Sequence, residues 1–163
     1  MSSIKPTSEQ IESSDSLNHD GINGLKKRDT GLSAKAAQNY AVPLITSLAP
    51  MIQDLSFQKI FIAKQARVAI SDEIGELCNA IISIILIGER PGLSSPDSMG
   101  VYLTYNPISG NTDEKRNCIS NIRQEGLAYN LAAHKLNMLI RESLRLKLSG
   151  VNLKDESFMN IIE

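Results

Sequence analysis

The stretch Ile81–Gly92, which reads IISIILIGERPG, constrains the fold more than any other part of the chain. The seven residues from Ile81 to Ile87 are apolar apart from Ser83 and mostly β-branched, and a glycine, a charged pair and a Pro-Gly turn follow them. Such a run can be a buried helix segment, but β-branching and the Pro-Gly stop favour a strand. A continuous apolar run predicts a strand covered on both faces, as in the middle of a parallel sheet.

Sequence patterns typical of strands alternate along the chain with patterns typical of amphipathic helices. Further strands are predicted at Lys59–Ala63, Val101–Tyr105 and Cys118–Ile122, with a solvated loop at Asn106–Asn117. A helix is predicted from about Ser33 to Leu48, with a kink or a restart at Pro43, and a second helix is predicted after a cap at Ser71 or Asp72, with Leu77 facing inward. The last helix is predicted from about Ala128 to Leu148, with an inward stripe that includes Ala132, Leu136 and Ile140, and Gly150 is predicted to end it. Alternating strands and helices are typical of layered domains. The sequence therefore predicts an α/β fold, a Rossmann-like layered domain with a mainly parallel sheet.

The 163 residues are sufficient for one domain with a substantial core. Residues 1–30 are rich in Ser, Asn, Asp, Lys and Glu, and their isolated apolar residues never reach a helical or strand period. We expect a disordered or poorly ordered segment there, a folded domain at 31–155, and a tail at 156–163.

Composition narrows the class of protein. The formal net charge of −1 gives no basic surface for nucleic acid, and Ile81–Ile87 is far shorter than the roughly 20 apolar residues of a membrane span. The start, MSSIKPTSEQ, has no apolar signal core. Cys78 and Cys118 show no metal-type spacing, so we expect a cytoplasmic protein with reduced thiols.

Few residues suggest chemistry by themselves. The chain has no glycine loop of the phosphate-binding kinds and no G-x-S-x-G. His134 lies off the main apolar stripe of the last predicted helix, which favours a surface histidine over a catalytic base. Cys118 fits a buried structural thiol better than a nucleophile. Glu89 and Arg90 follow a predicted strand, where ligand sites gather in open α/β sheets, but a solvated turn is an equally good interpretation.

Several longer motifs together resemble one family, the small (light) subunit of ethanolamine ammonia-lyase. The pairing of GERPGL with CISNI about thirty residues later is specific. The resemblance runs from Gly31 to about Asp155 and is carried by GLSAKAAQNYAVPLI (Gly31–Ile45), ARVAISDEIGE (Ala66–Glu76), IGERPGLSSPDS (Ile87–Ser98), YLTYNP (Tyr102–Pro107), RNCISNIRQEG (Arg116–Gly126) and SGVNL (Ser149–Leu153).

The resemblance implies a function and a site. Enzymes of this family deaminate ethanolamine to acetaldehyde and ammonia with adenosylcobalamin, and the small subunit holds the cofactor against a large catalytic chain in a hetero-oligomer. The positions that match cofactor contacts are Val68, Glu89 and Cys118, with Arg90 as a neighbour. The resemblance implies no catalytic residue and no metal ligand in this chain. It implies a cytoplasmic location, inside a bacterial microcompartment for many members.

The chain also departs from the family pattern. The family's small subunit is longer, and a strand leads into its GLS turn, whereas here GLS at Gly31–Ser33 follows NGLKKRDT, which has no strand pattern. We therefore expect the first strand of the sheet to be missing or replaced. A truncated, non-catalytic remnant and a generic α/β small-molecule binding module remain alternatives.

Overall fold

The computed structural model describes residues 11–14, 31–57, 59–64, 66–89 and 97–153. Within these ranges the helices are α1 (Gly31–Leu48), α2 (Ile70–Leu77) and α3 (Tyr129–Leu146). The strands are β1 (Ile11–Ser14), β2 (Ile60–Ala63), β3 (Ile82–Gly88), β4 (Met99–Tyr105) and β5 (Arg116–Ile122). Short 3₁₀ turns occur at Ala49–Met51, Asp113–Lys115 and Gly150–Asn152. The predicted strands are thus confirmed in place and type.

The direction of the strands is not the predicted one. Strands β3, β4 and β5 form an antiparallel sheet in that order, so the expected mainly parallel, Rossmann-like sheet is wrong. The physical reason lies in the connections. Parallel neighbours need a crossover of about a dozen residues or more, usually with a helix, whereas the connections at residues 89–98 and 106–115 are only ten residues long each.

Strand β3 is an edge strand of this sheet rather than a central one. Ile82, Ile84 and Leu86 pack against the core, whereas Ile85 and Ile87 point to the opposite face and are half-buried. The expectation of a strand fully covered on both faces is therefore not met, although its apolar, β-branched composition did identify the strand.

Helices α1 and α3 pack on each other and on one face of the sheet. The core between them consists of apolar side chains, chiefly Leu44, Leu48, Ile52, Met99, Val101, Leu103, Ile119, Ile122, Leu136 and Ile140. The predicted inward stripe of α3 is largely confirmed, since Ala132, Leu136 and Ile140 are buried. Gly150 does not end this helix, because the left-handed residue at its end is Lys147, with φ of 57°.

Helix α2 lies on the other face of the same sheet. Gly75 packs there against Ser83 of β3 and against Pro107, and a Cβ built on Gly75 would lie 3.1 Å from the Cβ of Ser83. The sequence predicts Ser71 or Asp72 as the cap of this helix. Instead the helix begins at Ile70, and the buried Asp72 carboxylate pairs with the equally buried guanidinium of Arg116. Arg116 had been assigned to a solvated loop, and that prediction is also wrong.

The segment after α3 is fastened to the sheet by side-chain hydrogen bonds. The Tyr105 amide donates to Ser149 Oγ at 2.8 Å. The Gly150 amide donates to Asn117 Oδ1 at 2.7 Å, and Asn117 Nδ2 donates to the carbonyls of Gly150 and Leu153, each at 3.2 Å. The SGVNL motif is therefore part of the fold of the sheet.

Strands β1 and β2 form a separate two-stranded antiparallel sheet. β1 falls inside the segment 1–30 that was predicted to be disordered, and the rest of that segment lies outside the described residues. The division into segment 1–30, domain 31–155 and tail 156–163 stays a prediction. Among the helices described, none is both long and apolar enough to cross a membrane.

Candidate functional site

Among the described residues, helix α2 covers only part of the sheet face on which it packs. Under α2 lies one row of directly paired residues: Ser83, Thr104 and Arg116. Beyond α2 lies a second group, which we call the open sheet face: Ile85, Ile87, Glu89, Gly100, Tyr102 and Cys118. Cys118 is exposed, and Ile85 and Tyr102 are half-buried, so a ligand can reach this group from solvent.

Glu89 crosses the sheet with its side chain. It follows directly after β3, and its own amide donates to the Ser98 carbonyl at 2.9 Å, which closes the end of the β3–β4 ladder. Its Oε2 accepts a hydrogen bond from the Asn121 amide of β5 at 3.1 Å. The carboxylate of a residue from one edge strand is therefore held at the opposite edge strand.

Gly100 makes this crossing possible. A Cβ placed on Gly100 would lie 3.1 Å from Glu89 Oε1, 3.3 Å from Glu89 Cγ and 3.3 Å from Tyr102 Cε2. Glycine inside a strand often marks a place where another group approaches the backbone closely. Here the two side chains converge over Gly100, and any larger residue there would push them apart.

A β-bulge in β5 presents the donor to Glu89. Met99 pairs with Ile122 and Val101 pairs with Ile119, so two residues of β5 lie opposite Gly100 alone. The second of these, Asn121, has φ of 59°, a left-handed conformation that asparagine tolerates better than most residues. Its carbonyl accepts the Leu127 amide at 2.8 Å, which fixes the bulge.

Tyr102 and Cys118 form a cross-strand pair beside Glu89. Partial burial, a hydrogen bond with Cys118 and the charge of Glu89 together raise the pKa of Tyr102 to about 12. For Cys118, loss of solvent raises the thiol pKa, the hydrogen bond from Tyr102 lowers it, and the charge of Glu89 raises it again. The three side chains therefore influence one another's ionisation.

This arrangement predicts opposite shifts in the reactivity of Cys118. Glu89→Gln removes the charge that opposes ionisation, so the thiol pKa should fall and alkylation by iodoacetamide near neutral pH should become severalfold faster. Tyr102→Phe removes the donor to the thiolate, so the pKa should rise and alkylation should slow severalfold. The measurement is the pH dependence of the alkylation rate in a Cys78→Ser background.

Glu125→Gln provides the matched control, because Glu125 lies in the loop after β5 and pairs with Arg123. It should leave the alkylation profile of Cys118 where it is. Shifts of the same sign in Glu89→Gln and Tyr102→Phe would contradict the described arrangement of the three groups.

Val68 lies in the turn before α2. It is connected to β5 through its hydrogen bonds with Ser71 and through the ion pair that the neighbouring Asp72 forms with Arg116. Its carbonyl accepts hydrogen bonds from the Ser71 amide at 3.1 Å and from Ser71 Oγ at 2.9 Å. The next residue, Asp72, pairs with Arg116, which precedes Cys118 by two positions on the same strand face. Two of the predicted contact positions, Val68 and Cys118, are thereby tied to one buried ion pair.

The four predicted site residues have different outcomes. Glu89 and Cys118 both lie on the open sheet face, whereas the described hydrogen bonds include none between Val68 and either of them. Arg90 lies outside the described residues. Cys118 is exposed as a residue, so the expectation of a buried cysteine is wrong. That the four residues bind a ligand stays a prediction.

Sequence reasoning missed three contributors to this surface, namely Gly100, Tyr102 and Asn121. A glycine in a predicted strand is itself a signal of a bulge or of close approach, and Gly100 directly precedes the VYLTY strand pattern. Tyr102 had a signal too, because strict alternation along β4 puts it opposite the core residues Val101 and Leu103. Asn121 had none, since its left-handed conformation depends on the pairing of β5 with β4.

No arrangement of metal ligands accompanies this surface. In the ranges that the structure describes, no group of three or more His, Cys, Asp or Glu side chains is placed to hold a metal ion. His134 is exposed on α3, in agreement with its interpretation as a surface histidine.

Comparison with known proteins gives a consistent result. Residues 29–154 match a family model described as ethanolamine ammonia-lyase light chain (EutC). A protein of Pseudomonas fluorescens named ethanolamine ammonia-lyase small subunit is 52% identical over 135 residues, which cover 82% of this chain and 49% of the relative. Proteins of the same name are 53% identical over 135 residues in Pseudomonas aeruginosa and 56% identical over 129 residues in Azotobacter vinelandii.

Each alignment covers most of this chain but only about half of the relative. The P. aeruginosa alignment takes in 82% of this chain and 50% of the relative, and the A. vinelandii alignment takes in 78% and 48%. The chain thus spans about half the length of the curated relatives that it matches.

Proposed function

We propose that this chain, which belongs to the ethanolamine ammonia-lyase light-chain family, is the cofactor-holding small subunit of such a lyase. The resemblance found in the sequence is confirmed by the family match over residues 29–154. In this proposal the chain binds adenosylcobalamin together with a large subunit that carries the substrate site. The hetero-oligomer deaminates ethanolamine to acetaldehyde and ammonia.

The observation that carries the proposal is the fixed carboxylate of Glu89 on an accessible sheet face. The rim of a corrin ring carries amide side chains, whose N–H groups need acceptors at defined positions. Glu89 Oε2 is held by the Asn121 amide, and the described residues provide no hydrogen-bond donor for Glu89 Oε1. Glu89 Oε1 can therefore accept an amide N–H from a ligand without a change in the side-chain position.

The rest of the open sheet face suits the same ligand. Ile85 and Ile87 are half-buried and offer an apolar surface beside the carboxylate. Gly100 has no side chain of its own, which lets the side chains of Glu89 and Tyr102 lie close to the sheet. A broad ligand with an apolar ring and a polar rim can therefore lie on this face, with its amides at Glu89 and its edge near Cys118.

Each matched position has a defined part in this proposal. Glu89 accepts from the amide rim, Cys118 contacts the edge of the cofactor, and Val68 contributes an apolar side chain from the start of α2. Arg90, which follows Glu89 in the chain, is proposed as a neighbour. Bound adenosylcobalamin supplies the radical chemistry of the deamination, and the residues of this chain hold and orient it.

Absorbance titration with a cobalamin tests the proposal directly. The full chain is titrated alone and as a complex with an ethanolamine ammonia-lyase large subunit, and the complex is then assayed for acetaldehyde production with adenosylcobalamin. We expect stoichiometric binding and turnover in the complex. A folded complex without either would favour a non-catalytic remnant, and binding of other small molecules in place of cobalamin would favour a generic binding module.

Glu89→Gln should weaken cobalamin binding by the complex about tenfold, in the range of one charge-assisted hydrogen bond. The substitution removes the charge, keeps an oxygen acceptor for the Asn121 amide, and barely changes the side-chain volume. Equilibrium dialysis with adenosylcobalamin measures the dissociation constant.

Glu142→Gln is the matched control for this experiment. Glu142 lies on α3, the helix on the opposite side of the sheet, and pairs with Arg145. Its exchange should leave cobalamin binding unchanged. If both variants bind cobalamin as the unmodified chain does, Glu89 is not a contact of the cofactor.

A further inference from the structure

Tyr102 lies between the two side chains that are proposed to contact the cofactor. It is the direct cross-strand partner of Cys118, and it follows Gly100 by two positions on the same face of β4. The Glu89 side chain and the Tyr102 ring converge over Gly100, since a Cβ there would lie 3.1 Å from Glu89 Oε1 and 3.3 Å from Tyr102 Cε2. The order along the open sheet face is thus Glu89, Tyr102, Cys118.

A ligand that contacts both Glu89 and Cys118 must also pass over Tyr102, which lies between them. We propose that Tyr102 is a further binding residue of the open sheet face, which contacts the corrin edge with its ring and accepts an amide N–H with its hydroxyl oxygen. The inference rests on the proposed function, because it takes the ligand of Glu89 and Cys118 to be one molecule.

The polar atoms of Glu89, Tyr102 and Cys118 indicate which chemical groups this part of the open sheet face can recognise. The hydroxyl oxygen of Tyr102 carries lone pairs that can accept a hydrogen bond from an incoming donor. Its pKa of about 12 keeps the phenol neutral at physiological pH. The carboxylate, the phenol oxygen and the thiol sulfur then all act as acceptors. Such a row selects a ligand edge that carries several N–H donors, as the amides of a corrin rim do.

The ring of Tyr102 adds a contact that a purely polar residue would lack. It is half-buried on the face opposite to the core residues Val101 and Leu103, and Ile85 is its cross-strand neighbour on β3. Together with Ile85, the ring forms an apolar surface next to the acceptors. Aromatic rings contribute large, stiff contact areas at binding sites.

Binding measurements on the complex with the large subunit test the inference. Tyr102→Leu removes both ring and hydroxyl and should lower the affinity for adenosylcobalamin about tenfold, whereas Tyr102→Phe keeps the ring and should lower it about threefold. Tyr129→Leu is the control, because Tyr129 is exposed at the start of α3, and its affinity should match that of the unmodified complex.

A second measurement covers the case in which Tyr102→Leu does not fold. The unmodified chain is labelled with 3-fluorotyrosine, and the fluorine resonance of Tyr102 is assigned by its absence in Tyr102→Phe. Adenosylcobalamin should shift this resonance and leave that of Tyr129 in place. An unshifted Tyr102 resonance in the cobalamin-loaded complex would overturn the inference.

The outcomes separate this inference from the proposed function. If the unmodified complex binds no cobalamin, both are overturned. If it binds cobalamin, Glu89→Gln weakens the binding and a folded Tyr102→Leu does not, the role of Tyr102 alone is overturned. Weaker cobalamin binding by Tyr102→Leu and by Glu89→Gln, with unchanged binding by Tyr129→Leu, supports both the proposed function and the role of Tyr102.

Discussion

Arg116→Met is expected to lower the free energy of unfolding by about 3–5 kcal/mol, the range for breaking a buried ion pair at one end. The side chains of Arg116 and Asp72 are 3% and 1% exposed, so methionine would leave the Asp72 carboxylate buried without its cation. The Arg116 guanidinium also donates to Asp113 Oδ1 at 2.6 Å and to the Asn111 carbonyl at 3.0 Å. Urea denaturation followed by circular dichroism measures the change.

Two further variants show whether burial of the charge is the cause. Arg141→Met removes the partner of Asp54, whose side chain is 63% exposed, and should have a much smaller effect because water replaces the lost cation. The double variant Arg116→Met with Asp72→Leu leaves no buried charge and should recover much of the stability that Arg116→Met loses. Equal losses for Arg116→Met and Arg141→Met would contradict this explanation.

Gly150→Ala is expected to destabilise the protein by about 3 kcal/mol or more, because backbone strain and overlap act together. Gly150 has φ of 81°, a conformation that alanine adopts only with strain. An added Cβ would also lie 2.7 Å from Lys115 Cα and would overlap the Glu114 carbonyl. Relief of this overlap would pull the 149–153 segment away from Asn117 and Tyr105. Chemical denaturation of the purified variant measures the loss.

Gly110→Ala separates the two contributions to that loss. Gly110 has φ of 92°, but a Cβ there would meet no atom within 4 Å. Its exchange should cost only the strain, about 1–2 kcal/mol. Similar losses at both glycines would mean that the contact of Gly150 with the 114–115 backbone has little energetic weight.

The chain of hydrogen bonds from Val68 to β5 makes stability and binding partly dependent on each other. Asp72 and Arg116 join the start of α2 to the strand that carries Cys118. A weakened pair would therefore be expected to move Val68 relative to the open sheet face as well as to destabilise the fold.

Local patterns predicted the elements well and their burial less well. β-Branched runs located β3, β4 and β5, and apolar spacing located α1 and α3. Leu77 was expected to face inward in α2, yet its side chain is 75% exposed, because α2 buries the small residues Ser71 and Gly75 instead. Short helices bury the face that fits their neighbour, and the shape of the neighbour is not encoded in the helix.

The sequence by itself determined the positions of β2 to β5 and of the three helices, the family, and the placement of Glu89 at the end of a strand, because periodicity and motifs are properties of neighbouring residues. Only the tertiary structure decided the antiparallel order of β3, β4 and β5, the burial of Asp72 with Arg116, and the meeting of Glu89 and Tyr102 over Gly100. Each of these depends on strand register or on a partner far away in the chain. The bulge at Asn121 shows the physical reason most directly: the residue adopts a left-handed conformation, and its amide reaches Glu89, only because β5 pairs with β4 in this register.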